Sequence, residues 1–135
     1  MCGIFGVRGV QDAGALVHLG LYSLQHRGQE SAGIVAVDEN GQARAVRSMG
    51  LVSEGLGATE TAALDGMLAI GHTRYSTAGS STIENAQPIL ARFRDGNISL
   101  AHNGNIVNAT ELRRELEDQG AIFSGSMDSE ILVHR

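Results

Sequence analysis

The chain has 135 residues, a length that fits one domain with its own apolar core. Acidic residues outnumber the ten basic residues, all arginine, and the net charge of −5 argues against broad binding to nucleic-acid phosphates. A single cysteine excludes an internal disulfide and a four-cysteine zinc site. With no signal peptide and no apolar run of about 20 residues, the sequence predicts a cytoplasmic protein without membrane contact.

The first half of the chain predicts one helix among short strands. Ile4 and Phe5 alternate with glycines, which predicts a short buried strand at the N-terminus, and helical spacing of apolar residues follows, with Asp12 as N-cap. The turn sequence DENG between two apolar runs predicts a β-hairpin. The predicted ranges are 2–8 for the first strand, 12–25 for the helix, 33–37 and 42–47 for the hairpin strands, and 38–41 for the turn.

The second half predicts two more strands and a well-marked helix. Short apolar runs at 67–72 and 97–101 predict strands that each end in a polar cluster. The segment 108–119 predicts a helix in which Asn108 and Glu111 form a capping box and Gly120 provides the stop. A last helical pattern begins near Asp128 and is still running at residue 135, which suggests part of a longer protein. Antiparallel strands flanked by helices predict an α+β fold.

Cys2, directly after the initiator methionine, is the first candidate for chemistry. A lone cysteine is usually a small buried apolar residue. If Met1 is removed, however, Cys2 carries a free α-amino group that titrates near neutral pH, so that a nucleophilic thiol and a general base share one residue. This combination suits attack on an amide or acyl carbonyl, and Gly3 would leave room for the substrate carbonyl.

The segment AHNGNI follows a predicted strand and offers donors for an oxyanion hole. Asn103 has a side-chain amide, and Gly104 lets a backbone N–H approach a ligand closely. The alternative is an ordinary turn, because Asn-Gly is a common turn dipeptide.

Two further polar groups complete a candidate site. Arg74, in GHTRYSTAGSS, is suited to bind a carboxylate with help from Thr77, although most loop arginines are solvated. Asp128 is suited to bind an ammonium group, or else caps the last helix. The five histidines lack metal-binding spacing, so no metal site is predicted. A nucleophile with its base, oxyanion donors, a carboxylate-binding residue and an ammonium-binding residue together describe glutamine as ligand.

The segments MCGIFG, LQHRGQESAGI, GHTRYSTAG, LAHNGNIVNA and DSEIL occur in this order and resemble the class II glutamine amidotransferase domain, a member of the N-terminal nucleophile hydrolases. The resemblance covers essentially the whole of 1–135 and implies part of a four-layer αββα sandwich. It implies that Cys2 forms a glutamyl thioester, with Asn103 and Gly104 as the oxyanion hole. It further implies the binding roles of these residues: Arg74 and Thr77 for the α-carboxylate, Asp128 for the α-ammonium, and Arg27 and Tyr75 for closure over the substrate.

The wording of two segments favours one branch of the family. HRGQESAG and HTRYSTAG resemble the purine-synthesis branch, which transfers ammonia from glutamine to phosphoribosyl pyrophosphate and forms 5-phosphoribosylamine. That branch implies a phosphoribosyltransferase domain with a magnesium site beyond this chain, a homo-oligomer and, in some members, an iron–sulfur cluster. The alternatives are a sugar-phosphate branch such as glucosamine-6-phosphate synthase, or a non-catalytic domain that binds an amino acid.

Overall fold

The computed structural model describes residues 1–75 and 80–135, which alternate strands with short helices. The strands are β1 (Gly3–Arg8), β2 (Ser31–Val37), β3 (Ala43–Met49), β4 (Leu68–Arg74), β5 (Ile89–Phe93) and β6 (Gly96–Leu100). The helices are α1 (Ala13–Leu24), α2 (Val52–Gly55), α3 (Ala58–Ala62), α4 (Ala109–Asp118) and α5 (Ile131–His134). Within the described ranges, no helix is long and apolar enough to cross a membrane.

Four strands form an antiparallel sheet in the order β1-β4-β2-β3, and α1 packs across it. Leu21 of α1 and Ile34 of β2 are fully buried between the two layers. The helix lies close to the sheet because Gly71 has no side chain: a Cβ there would lie 2.7 Å from Leu21 Cδ1. The core cluster consists of Ala13, Val17, Leu21, Ala32, Ile34, Ala36, Val52, Leu56, Leu64 and Ala69.

The prediction of a buried N-terminal strand is correct in position and wrong in burial. β1 begins at Gly3, one residue later than expected, and within the described part of the chain it pairs only with β4, at the edge of the sheet. Ile4 and Phe5 keep 42% and 38% of their surface exposed. An apolar run shows that a segment prefers an extended, partly buried surface, but it does not show whether a second strand covers the other edge.

The predicted hairpin is confirmed, with β2 and β3 each slightly longer than expected. Its turn is held by Asp38, whose Oδ1 accepts backbone N–H groups of Asn40 and Gln42, both at 2.9 Å. Gly41 has φ of 75°, in the left-handed region where glycine is favoured. The DENG segment therefore has the turn chemistry that the sequence indicates.

Both long helices are confirmed within a residue or two, but the side-chain N-caps predicted for them are not. Asp12 stands at the N-cap of α1 with a left-handed φ of 57° and makes no capping hydrogen bond with its side chain. Asn108 precedes α4 without a side-chain cap, so the predicted capping box with Glu111 is wrong. The stop at Gly120 is correct: its φ is 94°, and its N–H donates to Glu117 O at 2.9 Å.

The remaining strands form a second, two-stranded antiparallel sheet. The predicted strands at 67–72 and 97–101 correspond to β4 and β6. The partner of β6 is β5, which was not predicted although Ile89, Leu90 and Ala91 form a short apolar run of the same kind. The last helical pattern is a 3₁₀ turn over Asp128–Glu130 that continues into α5.

Candidate active site

Cys2 immediately precedes β1, and the register of the sheet places it beside the end of β4. Gly3 pairs with Thr73, so Cys2 comes next to Arg74 at the same edge. The Cys2 thiol is partly buried and donates to the carbonyl oxygen of Tyr75 at 3.6 Å. The pairing of β1 with β4 therefore brings the N-terminal Cys2 to the candidate site.

Two side chains hold the main chain of Cys2. Arg27 Nε donates to Cys2 O at 3.1 Å, and Asn103 Nδ2 donates to the same oxygen at 3.2 Å. Arg27 lies in the 3₁₀ turn after α1, where the alternative was a simple C-terminal charge. The structure thus places Arg27 and Asn103 beside the candidate nucleophile, with both side chains donating to its main-chain oxygen.

The structure gives a different reason for glycine at position 3 from the one predicted. A Cβ at Gly3 would lie 2.8 Å from Thr73 Oγ1 and 3.0 Å from Leu24 Cβ. The missing side chain therefore allows β1 to pack against β4 and α1, and the space it leaves is occupied by protein rather than kept for a substrate carbonyl.

A pocket of about 250 Å³ opens beside Cys2, a volume below the range for drug-sized ligands and suited to a small molecule. Four residues predicted from the sequence line it together with Cys2: Arg74, Tyr75, Gly104 and Asp128. Asn103 and Arg27 reach the site through their bonds to Cys2 O. Thr77 lies outside the described residues.

Arg74 is a buried cation at the end of β4, which rules out the alternative of a solvated loop arginine. Only 4% of its surface is exposed. Its Nη1 lies 3.2 Å from Glu30 Oε1 and donates to Ser80 O, also at 3.2 Å. Charged side chains are rarely buried to this degree unless paired, so Glu30 fixes a guanidinium at the pocket. Sequence reasoning singled out the segment containing Glu30 but did not assign that residue.

The Asn103–Gly104 segment connects β6 to α4 as a bend at Gly104, not as a hydrogen-bonded turn. Gly104 lies against the imidazole of His102, since a Cβ at Gly104 would lie 2.6 Å from His102 Nε2. One N–H of the Asn103 amide donates to Cys2 O, and an amide nitrogen carries two hydrogens. The amide therefore has a second N–H that can donate to another acceptor.

Asp128 is tied to the same segment and does not cap the helix with its side chain. Its Oδ2 accepts the backbone N–H of Ile106 at 2.6 Å, and Oδ1 accepts the hydroxyl of Ser129 at 3.3 Å. The carboxylate thus faces the pocket while it holds the loop that carries Asn103 and Gly104.

Gln87 and Ser129 are among the polar residues of the pocket that sequence reasoning missed. Gln87 lines it and contacts the backbone of His102, and Ser129 contacts the His102 ring, with 3.1 Å between Oγ and Nδ1. Neither lies in a pattern typical of chemistry. Among the residues with described positions, no group of three His, Cys, Asp or Glu side chains is arranged to hold a metal ion.

Comparison with known proteins identifies the family. Residues 43–135 match the model of the glutamine amidotransferase domain. The amidophosphoribosyltransferase of Lacticaseibacillus casei is 54% identical over 98% of this chain and 69% of that protein. The amidophosphoribosyltransferase of Bacillus subtilis (strain 168) is 49% identical over 98% of this chain, which spans 28% of the relative.

Solved structures agree with the sequence relatives. The glutamine phosphoribosylpyrophosphate amidotransferase of B. subtilis, in complex with ADP and GMP, superposes with a TM-score of 0.89 at 46% identity, over 99% of this chain and 28% of that one. A structure described as the allosteric regulatory enzyme of purine biosynthesis gives 0.91 at 47% identity, over 99% and 29%. The expected α+β fold of the N-terminal nucleophile hydrolase type is confirmed. The chain belongs to the glutamine amidotransferase family, and it corresponds to the N-terminal part of amidophosphoribosyltransferases.

Proposed function

We propose that this chain is the glutaminase part of an amidophosphoribosyltransferase and that it hydrolyses glutamine through a Cys2 thioester. The observation that carries the proposal is the convergence of the Cys2 thiol, a buried Arg74 guanidinium and the Asp128 carboxylate on a pocket of about 250 Å³. We take residues 1–135 as the N-terminal portion of the glutamine amidotransferase type 2 domain. The rest of the enzyme would use the released ammonia to convert phosphoribosyl pyrophosphate to 5-phosphoribosylamine.

Substrate binding follows from two of the charged side chains that line the pocket, Arg74 and Asp128. Arg74 would bind the glutamine α-carboxylate through its guanidinium, which Glu30 and Ser80 O hold in place. Asp128 would accept hydrogen bonds from the α-ammonium. With both charged groups of the amino acid fixed, the side-chain amide is directed toward Cys2. Tyr75, which is 57% exposed at the pocket, would cover the bound substrate.

The first chemical step requires a free Cys2 amine. Met1 is 74% exposed, so its removal disturbs no core contact. The freed amine then takes the thiol proton, and the thiolate attacks the amide carbon of glutamine. A C–S bond forms and the carbonyl π electrons move to oxygen. The second N–H of the Asn103 amide and the Gly104 N–H would stabilise this oxyanion.

The second step regenerates the enzyme. The tetrahedral intermediate collapses, the C–N bond breaks, and ammonia leaves with the proton held by the Cys2 ammonium. Water then attacks the thioester, with the amine again accepting a proton, and the C–S bond breaks to give glutamate and the free thiol. None of these steps uses a metal, and the magnesium that the resemblance implies would act in the transferase domain. The cytoplasmic location and the homo-oligomer remain predictions.

The proposal is tested with the full-length enzyme and a glutamine-analogue electrophile. We expect the intact mass to show loss of Met1 and one adduct on Cys2, and we expect Cys2→Ala to abolish both the adduct and ammonia release. Circular dichroism of Cys2→Ala should match wild type, which shows that the loss is chemical. Ammonia release by Cys2→Ala at the wild-type rate would overturn the Cys2 mechanism. A mature protein that retains Met1 would instead support a non-catalytic amino-acid-binding domain.

A further inference from the structure

Gln87 is a buried amide that binds the backbone of His102 at two points. Only 5% of its surface is exposed. Its Oε1 accepts the His102 backbone N–H at 2.6 Å, and its Nε2 donates to the His102 carbonyl at 3.3 Å. The side-chain amide therefore binds His102 as a neighbouring β-strand would.

His102 directly precedes the two proposed oxyanion donors, Asn103 and Gly104, in the chain. Residues 101–105 lie between β6 and α4, outside the strands of both sheets, so no strand ladder fixes them. Asn103 follows directly and reaches Cys2 O at 3.2 Å, while Gly104 packs against the His102 ring. When the backbone N–H and carbonyl of His102 are held, the path of the backbone through Asn103 and Gly104 is held as well.

We propose that Gln87 is a positioning residue for glutamine hydrolysis: it holds His102 so that the Asn103 amide and the Gly104 N–H face the carbonyl that Cys2 attacks. The inference rests on the proposed function, because it assigns Gln87 a role in the same reaction. Gln87 itself does not form the oxyanion hole. It lines the pocket, but both of its polar atoms bond to the His102 backbone, and its Nε2 also donates to Met127 Sδ at 3.8 Å.

The expected effect is a fall in kcat with little change in KM. Oxyanion donors act on charge that develops in the transition state, so their misplacement reduces turnover more than substrate binding. Loss of one donor costs about 10²–10³-fold, and a displacement of about 1 Å can cost about 10²-fold. Gln87→Met, which keeps the length and removes both hydrogen bonds, should lower kcat between about 10-fold and 10²-fold.

A matched control separates positioning from stability. Glu130 is also buried and also binds backbone at two points, with Oε1 accepting from Ser124 N at 2.7 Å and Oε2 from Gly125 N at 3.0 Å. Glu130→Met should lower the melting temperature of the full-length enzyme and leave kcat unchanged. Gln87→Asn, one methylene shorter, keeps a buried amide but does not span both His102 groups, and it should lose kcat as Gln87→Met does.

A double-mutant cycle decides whether the effect runs through the oxyanion donor. If Gln87 acts by placing Asn103, then Gln87→Met should cost far less kcat in an Asn103→Ala background than in wild type. Equal costs in both backgrounds, or full kcat in Gln87→Met and Gln87→Asn, would overturn the proposal. Cys2→Ala is measured in parallel. If wild type releases ammonia and Cys2→Ala does not, the proposed function stands whichever result Gln87 gives.

Discussion

Gly28→Ala should damage both the stability and the activity of the enzyme, for a reason visible in the geometry. Gly28 has φ of −160° and ψ of 123°, an extended conformation that alanine adopts without strain. The added Cβ, however, would lie 2.7 Å from the carbonyl carbon and oxygen of Arg74 and 2.8 Å from the carbonyl carbon of Thr73. These are backbone atoms at the end of β4, which cannot move aside as a flexible side chain does.

The expected loss of stability and turnover follows from how far the new Cβ of Gly28→Ala must move away from β4. Ordinary contact begins near 3.4 Å, so Gly28 and the end of β4 must separate by about 0.7 Å. Overpacking of this kind costs about 1–3 kcal/mol in the free energy of unfolding. The displaced backbone carries Arg74 and leads into Tyr75, whose carbonyl oxygen accepts from Cys2 Sγ. A shift of nearly 1 Å at reacting groups lowers turnover by up to about 10²-fold.

The assay compares two alanine variants of the full-length enzyme, by thermal melting and by kcat/KM for glutamine hydrolysis. The control is Gly6→Ala in β1, where the nearest atoms to a new Cβ are Ile70 Cγ2 at 3.5 Å and Ala69 O at 3.7 Å. This ordinary contact should change stability by less than about 0.5 kcal/mol and leave activity intact. If Gly28→Ala is indistinguishable from Gly6→Ala in both measurements, the steric argument is wrong.

Two further predictions concern the core. Leu21→Ala should lower the free energy of unfolding by about 2–5 kcal/mol, because Leu21 is fully buried between α1 and the sheet; a loss below about 1 kcal/mol in melting experiments would contradict this. Burial lowers the pKa of His72 to about 4, and the positive charge of Arg74 adds to the shift. The unfolded chain therefore binds more protons between pH 4 and 6.5, so about 3 kcal/mol of stability present above pH 6.5 is lost as the pH falls through this window. His72→Gln should flatten that dependence in melts at pH 7.5 and 5, and an unchanged slope would refute the assignment.

Local patterns in the sequence were sufficient to predict an element where one of its faces is buried. Leu21 and the other apolar residues of α1 recur at helical spacing because a single face packs on the sheet. Asp12 illustrates the limit: it looks like an N-cap, yet the first helical N–H, of Ala13, donates to Gly66 O at 3.1 Å. That partner is far away in the chain, and a propensity for capping contains no information about it.

The candidate site likewise contains residues that the sequence predicts and residues that it does not. Cys2, Arg74, Gly104 and Asp128 were found because each has a side chain or backbone suited to one part of the glutamine reaction, and the structure brings them to one pocket. Gln87 was not found, because a glutamine before a proline has no distinctive chemistry of its own. Its hydrogen bonds to His102 exist only once the two sheets have formed, so the sequence alone contains no signal for them.

The edge position of β1 explains how a chain terminus can work at a pocket. Among residues 1–75 and 80–135, β1 pairs with β4 alone, so no described strand lies on the other side of Cys2, and Met1 is exposed. The terminus is nevertheless not loose, since Arg27 and Asn103 both donate to Cys2 O. Carbonyl, α-carbon and amine belong to one residue, so fixing the carbonyl also restricts where the freed amine and the thiol lie. A buried central strand would offer the same rigidity but would cover the amine, and a free terminus would expose the amine but would not hold the thiol at the pocket.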